Sequence, residues 1–149
     1  VEIGHIIKQK NFANNFEKVQ VNLIYTYNHY RIQTEQIFKP YKIQPQHFNI
    51  LRIVKGKHPV AVCMADIVEV MLDKGRDVTR LVQKLVDLNL LERKISESNR
   101  RKVEITITPE GIRMTEKIKL DLKKWSDKNQ KLTEAEAEQL SFLLDKMRG

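Results

Sequence analysis

The sequence predicts a mainly α-helical fold with one small β-hairpin. Three observations predict it. Apolar residues recur at three- and four-residue steps through most of the chain. One stretch, residues 103 to 108, instead alternates apolar and polar. Two short helical stretches joined by a tight turn lead directly into that hairpin region.

The chain has 149 residues, enough for one packed core. It is 41% apolar and 31% charged, a globular balance. Five Gly and four Pro are too few for a fibrous or low-complexity chain. No apolar run reaches the roughly 18 residues of a membrane span. No export signal is recognisable at the start, so a cytoplasmic location is expected. The single Cys63 rules out an internal disulfide and a Cys-rich zinc site.

Residues 2 to 38 contain no Pro and one Gly, and their apolar positions keep helical spacing from Ile3 to Tyr30. The run is either one extended helix or two joined. Pro40 stops it, because Pro lacks the backbone donor and biases Lys39 away from helix. A second helix is expected from Pro45, a residue suited to a first turn, to about Gly56, with Phe48, Leu51 and Val54 on one face. After the break at residues 57 to 59, a third short helix covers roughly 63 to 72, with Ile67, Val70 and Met71 apolar. Asp73-Lys74-Gly75 reads as a tight turn, with Asp73 as the expected cap of the next helix.

That helix, about 76 to 88, is the cleanest in the chain. Val78, Leu81, Val82, Leu85 and Leu88 form its apolar stripe, and Arg76, Thr79, Arg80, Gln83 and Asp87 its opposite face. Residues 90 to 95 and 103 to 108 then pair as a hairpin around the polar, basic tip 96 to 101. Val103, Ile105 and Ile107 share one strand face. Thr108-Pro109-Glu110 combines a cap, a first-turn Pro and a first-turn acid, and opens a helix running to about Asn129. Thr133 with Glu136 opens the last helix as a capping box. Two short helices, a tight turn and a hairpin make the layout of a winged helix-turn-helix. The outer helices are left to pair with each other and with a second copy.

The net charge is +8, with a pI near 9.6. Residues 74 to 102 hold nine basic and four acidic side chains, so most of the excess sits in 29 residues. That is the footprint of a polyanion-binding face. A helix enters the major groove of duplex DNA, where Arg bonds guanine O6 and N7 with two parallel hydrogen bonds. The candidate contacts are Arg76, Thr79, Arg80, Gln83 and Lys84 on the helix, with Arg76 and Arg80 one turn apart. The free N–H groups at its start attract phosphate. Asn99, Arg100, Arg101 and Lys102 are the candidates at the hairpin tip, where Arg can enter a minor groove. The bland alternative is a solvated helix face and a solvated turn.

Val78-Thr79-Arg80-Leu81-Val82, Leu90-Leu91-Glu92-Arg93, Asn99-Arg100-Arg101 and the run from Ile105 to Gly111 together resemble the core signature of the MarR family of transcription regulators. Gln46 to Leu51 is similar to that family's second helix. The resemblance covers residues 44 to 111. It implies one domain, in which 44–111 is the winged DNA-binding lobe and 1–39 with 112–149 form a helical dimerisation region. It implies a homodimer on a palindromic site. Many members are repressors released by a small, often phenolic, ligand. Two departures stand out. Asn99 sits where the family usually carries the Asp that braces the wing Arg; Asn accepts a hydrogen bond from Arg101 without charge assistance. A Lys-Gly pair precedes the reading helix where many members have a Ser cap.

No catalytic constellation is present: no phosphate-cradling Gly-rich loop, nucleophile elbow or His-Glu-x-x-His. An enzyme is not expected, nor a cofactor. The four His are dispersed, with no ligand spacing, and no metal site is assigned. Cys63 reads as an inert thiol. Trp125, Tyr25, Tyr27, Tyr30 and Tyr41 read as core or interface, with His29 and Tyr30 as candidates to line an effector cavity. A winged-helix protein-interaction module that has lost or weakened DNA binding is the alternative function. Membrane-surface binding is disfavoured, because the basic residues lie on a turn and hairpin rather than a long amphipathic helix.

Overall fold

Asn14 divides the N-terminal run. Its side chain accepts the Glu17 N–H at 2.9 Å and starts a new helix. The computed structural model, which describes all 149 residues, therefore has a short α1 (Ile3–Ile6) and a long α2 (Asn15–Phe38). A single 3₁₀ turn, Lys39–Tyr41, follows at Pro40. Then come α3 (Pro45–Lys57), α4 (Met64–Val70), α5 (Val78–Asp87), β1 (Leu91–Ile95), β2 (Val103–Ile107), α6 (Pro109–Asn129) and α7 (Glu134–Arg148).

The strands pair antiparallel, with Leu91 opposite Ile107, Arg93 opposite Ile105 and Ile95 opposite Val103. Leu91, Ile105 and Ile107 are buried under the hairpin, while Ile95 and Val103 extend past the core into solvent. Val62 adds an isolated bridge to Ile105, with N–H···O distances of 3.0 and 2.8 Å in the two directions. One residue has no alternation to betray it, so this contact is invisible in the pattern.

The core lies in the middle of the chain. Ile50, Leu51 and Val54 of α3, Ile67 of α4, Val82 and Leu85 of α5, Leu90, Leu91, Ile105 and Ile118 are all under 2% exposed. Each such side chain contributes about 1.5–3 kcal/mol by leaving water. Val70, expected on the apolar face of the third helix, is its last residue and is exposed; Met71, just beyond, is buried instead.

Two junctions join α5, the hairpin and α6. After α5, Asn89 takes a left-handed φ of 57°. The N–H groups of Asn89 and Leu90 then donate to Val86 and Leu85 carbonyls at 2.9 Å each. This is a Schellman ending, with Leu90 packing back under Leu85. At the other junction, the Thr108 hydroxyl accepts the Gly111 N–H at 2.9 Å and donates toward the carbonyls of Asn89 and Leu90. A Cβ on Gly111 meets the Leu90 carbonyl oxygen at 2.1 Å and Ile107 Cγ1 at 2.7 Å. Only Gly lets α6 sit this close to the hairpin.

The apolar faces of α7 and of much of α2 are bare. None of the 15 residues of α7 is buried, and Phe142, Leu143, Leu140 and Met147 are exposed. On α2, Phe16, Val19, Ile24, Tyr27 and Ile32 are exposed as well.

Gly111→Ala is expected to lower stability by at least about 2 kcal/mol, since the new methyl overlaps backbone as well as a side chain. Urea unfolding of the variant beside the parent checks this. An Ala variant of parental stability contradicts the contact.

Candidate nucleic-acid interface

Val78, Val82 and Leu85 bury one side of α5 against the core. Thr79, Arg80 and Lys84 are consequently turned to solvent, and Gln83 is half-buried between. The sequence-predicted helix is two residues too long at its start. Arg76 is not on α5; it precedes it, in the turn, and so is not one helical turn from Arg80 on a shared face. The cap is Asp77, not Asp73. The Asp77 carboxylate accepts the Arg80 N–H at 3.1 Å. Burial of Val78 sets where the helix can begin, and Asp77 is the residue then at the capping position. The start of α5 therefore already holds a carboxylate, where free N–H groups open to phosphate were expected.

Asp73 closes the turn instead. Its Oδ1 accepts the Gly75 N–H at 3.1 Å, and its Oδ2 accepts from Arg76 Nε at 2.8 Å. The Arg76 guanidinium holds the Asp73 carboxyl below its usual range. Lys74 points away and caps the end of α4, bonding the carbonyls of Val68 and Glu69. Gln83 Nε2 donates to Asp87 Oδ1 at 2.7 Å along the helix.

At the hairpin tip, Asn99 Oδ1 accepts the backbone N–H of Arg101 at 3.1 Å. The expected Asn99–Arg101 bond is thus made to the main chain, and the guanidinium is not braced. The tip is closed by Ser96 N–H to the Lys102 carbonyl (2.9 Å) and Lys102 N–H to the Asn99 carbonyl (2.8 Å). Asn99, Arg100, Arg101 and Lys102 are all exposed. None of the ion pairs in the chain engages Arg80, Arg100 or Arg101.

His47 was one of four dispersed histidines in the sequence; the structure buries it, 3% exposed, behind this face. Its Nδ1 accepts the Gln44 N–H at 3.0 Å and closes the start of α3. Burial, with the nearby Lys84 ammonium, pushes the imidazole down to about 4. Only its place three residues into a helix hinted at this role.

His29 and Tyr30 do not share a cavity. His29 lines a hollow of about 390 Å³ with Ile7, Val21, Ile24, Tyr25 and Ile32. Tyr30 packs edge-to-face on Trp125, ring centroids 5.5 Å apart, beside a separate hollow of about 150 Å³ near Leu132. Neighbouring residues on a helix point about 100° apart, which explains the split. Tyr41 instead joins the 3₁₀ turn to α6, its hydroxyl bonded to Asp121. Desolvation first, and then the carboxylate, push its phenol up to about 12. Cys63, half-buried, caps α4, and its N–H donates to Asp66 Oδ2 at 2.9 Å.

A helix-turn-helix (α4, α5) followed by a hairpin, set between long terminal helices, defines a winged helix-turn-helix protein. The fold is that of the MarR-family transcription regulators. A MarR transcription factor from Planctomyces limnophilus superposes with a TM-score of 0.69 at 25% identity, over 93% of this chain and 98% of that one. Bordetella bronchiseptica BpsR, whose DNA binding is regulated by 6-hydroxynicotinic acid, gives 0.78 at 23% identity, over 93% and 98%. S. aureus MepR in complex with DNA gives 0.72 at 19% identity, over 86% and 92%. No family model and no curated protein sequence matches the chain.

The His47 shift has a definite sign in stability. Well above pH 6.5 both the folded and unfolded imidazoles are neutral. As pH falls from 6.5 toward 4, the unfolded chain takes the proton first and stability drops. A loss of about 2 kcal/mol is expected between pH 7 and 4.5. His47→Gln, which keeps an acceptor for Gln44, is expected to flatten that window. Urea melts across the range decide it; identical pH profiles for the two proteins contradict the assignment.

Proposed function

We infer that this chain is a sequence-specific DNA-binding transcription regulator acting as a homodimer on a palindromic site. One observation carries the reading. The outward face of α5 presents Thr79, Arg80 and Lys84, and the hairpin tip exposes Arg100, Arg101 and Lys102, with no protein partner on any of these arginines. In this reading α5 enters the major groove, with Gln83 beside those side chains, and the tip reaches the flanking minor groove. The lobe is residues 44 to 111. Residues 1 to 39 and 112 to 149 form the dimer region, which the bare apolar faces of α2 and α7 support. Two half-sites about 10 bp apart then match a twofold axis. Repression relieved by a small, phenolic-type ligand is the regulatory mode that goes with this reading. The unbraced wing arginines favour a weaker second reading, a winged-helix interaction module with reduced DNA affinity.

Salt titration separates the two. A DNA regulator loses at least about 10³-fold in affinity between about 50 and 200 mM salt, because condensed counterions are released. A shallow response to every duplex favours the interaction module. Arg80→Ala is expected to cost about 1–3 kcal/mol per half-site on the selected operator and to relax preference at one base pair. An unchanged preference removes Arg80 from the reading role.

The dimer has its own test. Leu140→Glu combined with Leu143→Glu puts charge on the bare face of α7. Light scattering is expected to drop from about twice 17.6 kDa to a single chain. A double variant that stays dimeric moves the interface elsewhere.

A further inference from the structure

Among the arginines of the candidate interface, Arg76 alone is paired. It donates through Nε to Asp73 at 2.8 Å, and its side chain is still 54% exposed. A bond at Nε leaves both Nη groups without a protein partner. Asp73 cannot follow a swinging guanidinium, because its other oxygen is tied to the Gly75 N–H. The planar fork is thus gripped on one edge and open on the other.

The charges around it discriminate between ligands. Asp73 holds one carboxylate against the guanidinium, while the carboxylate of Asp77, the residue after Arg76, is taken by the Arg80 N–H. The neighbouring Lys74 ammonium is turned back to the end of α4. A phosphate approaching the fork meets the Asp73 carboxylate, and like charges repel. A neutral pair of acceptors does not. Guanine O6 and N7 are such a pair, at the spacing of two parallel N–H groups.

We propose that Asp73 is a positioning residue that holds Arg76 as a reader of a guanine edge rather than as a phosphate anchor. This rests on the DNA-binding reading and assigns a division of labour within it: Arg76 specifies sequence, while the unpaired arginines of the wing supply affinity.

The test is selection of bound duplexes from a random pool by the full chain, followed by affinities on the selected site with each base pair varied. Asp73→Ala, Asp73→Asn, Arg76→Ala and the double variant Asp73→Ala/Arg76→Ala are compared. The parent is expected to require guanine at one position per half-site. Each variant is expected to lose about tenfold of that preference at that position only. The double variant is expected to lose no more than Arg76→Ala alone. The salt slope on random duplex is expected to stay at the parental value in the Asp73 variants. Asp73→Asn keeps an acceptor for Gly75 and so keeps the turn; if it behaves as the parent, the loss in Asp73→Ala belongs to the turn and the proposal is overturned. Arg76→Ala weakening all duplexes alike, with the salt slope reduced by about one, marks a phosphate contact and also overturns it. If the parent selects a site and the Asp73 variants keep its full preference, this inference alone fails. If the parent selects nothing, the DNA-binding reading fails and this one with it.

Discussion

Leu90 is gripped from both sides, and the geometry of the lobe depends on that grip. From the α5 side, its N–H closes the helix by bonding the Leu85 carbonyl. From the α6 side, its carbonyl takes the N–H and hydroxyl of Thr108, while Gly111 leaves no gap above it. Helix end, strand start and helix start thus share one residue that is 1% exposed. The angle between α5 and the hairpin follows from these bonds. Packing this close has few alternative arrangements, because buried backbone groups must find partners. A groove-binding face needs that rigidity, since a helix and a wing that shift relative to each other cannot meet two grooves at once.

The electrostatics of the face are less uniform than its net charge. The excess of basic residues between 74 and 102 is real, yet acids occupy the turn before α5 and the first position capping it. Helix starts favour anions, and here the chain provides its own. Arg80 and Lys84 on α5 and Arg100, Arg101 and Lys102 at the hairpin tip are left without an ion pair. His47, buried and neutral behind Lys84, adds no charge to the core at neutral pH. The outer segments, residues 1 to 39 and 112 to 149, mix 14 basic with 10 acidic side chains and add much exposed apolar surface, so what sets them apart is that apolar surface.

Much of the fold was legible because helix and strand signals are local. Thr108 with Pro109, and Thr133 with Glu136, act over three residues, and both caps form as the sequence suggested. The alternation from Val103 to Ile107 placed the strand, and Pro45 placed the start of α3. The N-terminal run stayed open between one helix and two, because its apolar spacing does not break where the chain does. Asn14 breaks it by a side-chain bond. The candidate site was legible in composition and only partly in position. Residues 79, 80 and 87 face solvent as the periodicity required, and Gln83 does so only in part. Arg76 does not continue that face, since the helix begins at Val78 with Asp77 as its cap, where Asp73 was expected.

By itself, then, the sequence determined the order and kind of the elements, the sidedness of α5 and the concentration of positive charge near it. These depend on neighbours within a turn or two of the chain. The tertiary structure decided which Asp caps the reading helix, that His47 is buried beneath it, that Val62 joins the sheet, and that His29 and Tyr30 open to different hollows. Each of those depends on burial against residues distant in sequence or on the direction of a side chain. Local spacing contains no record of either.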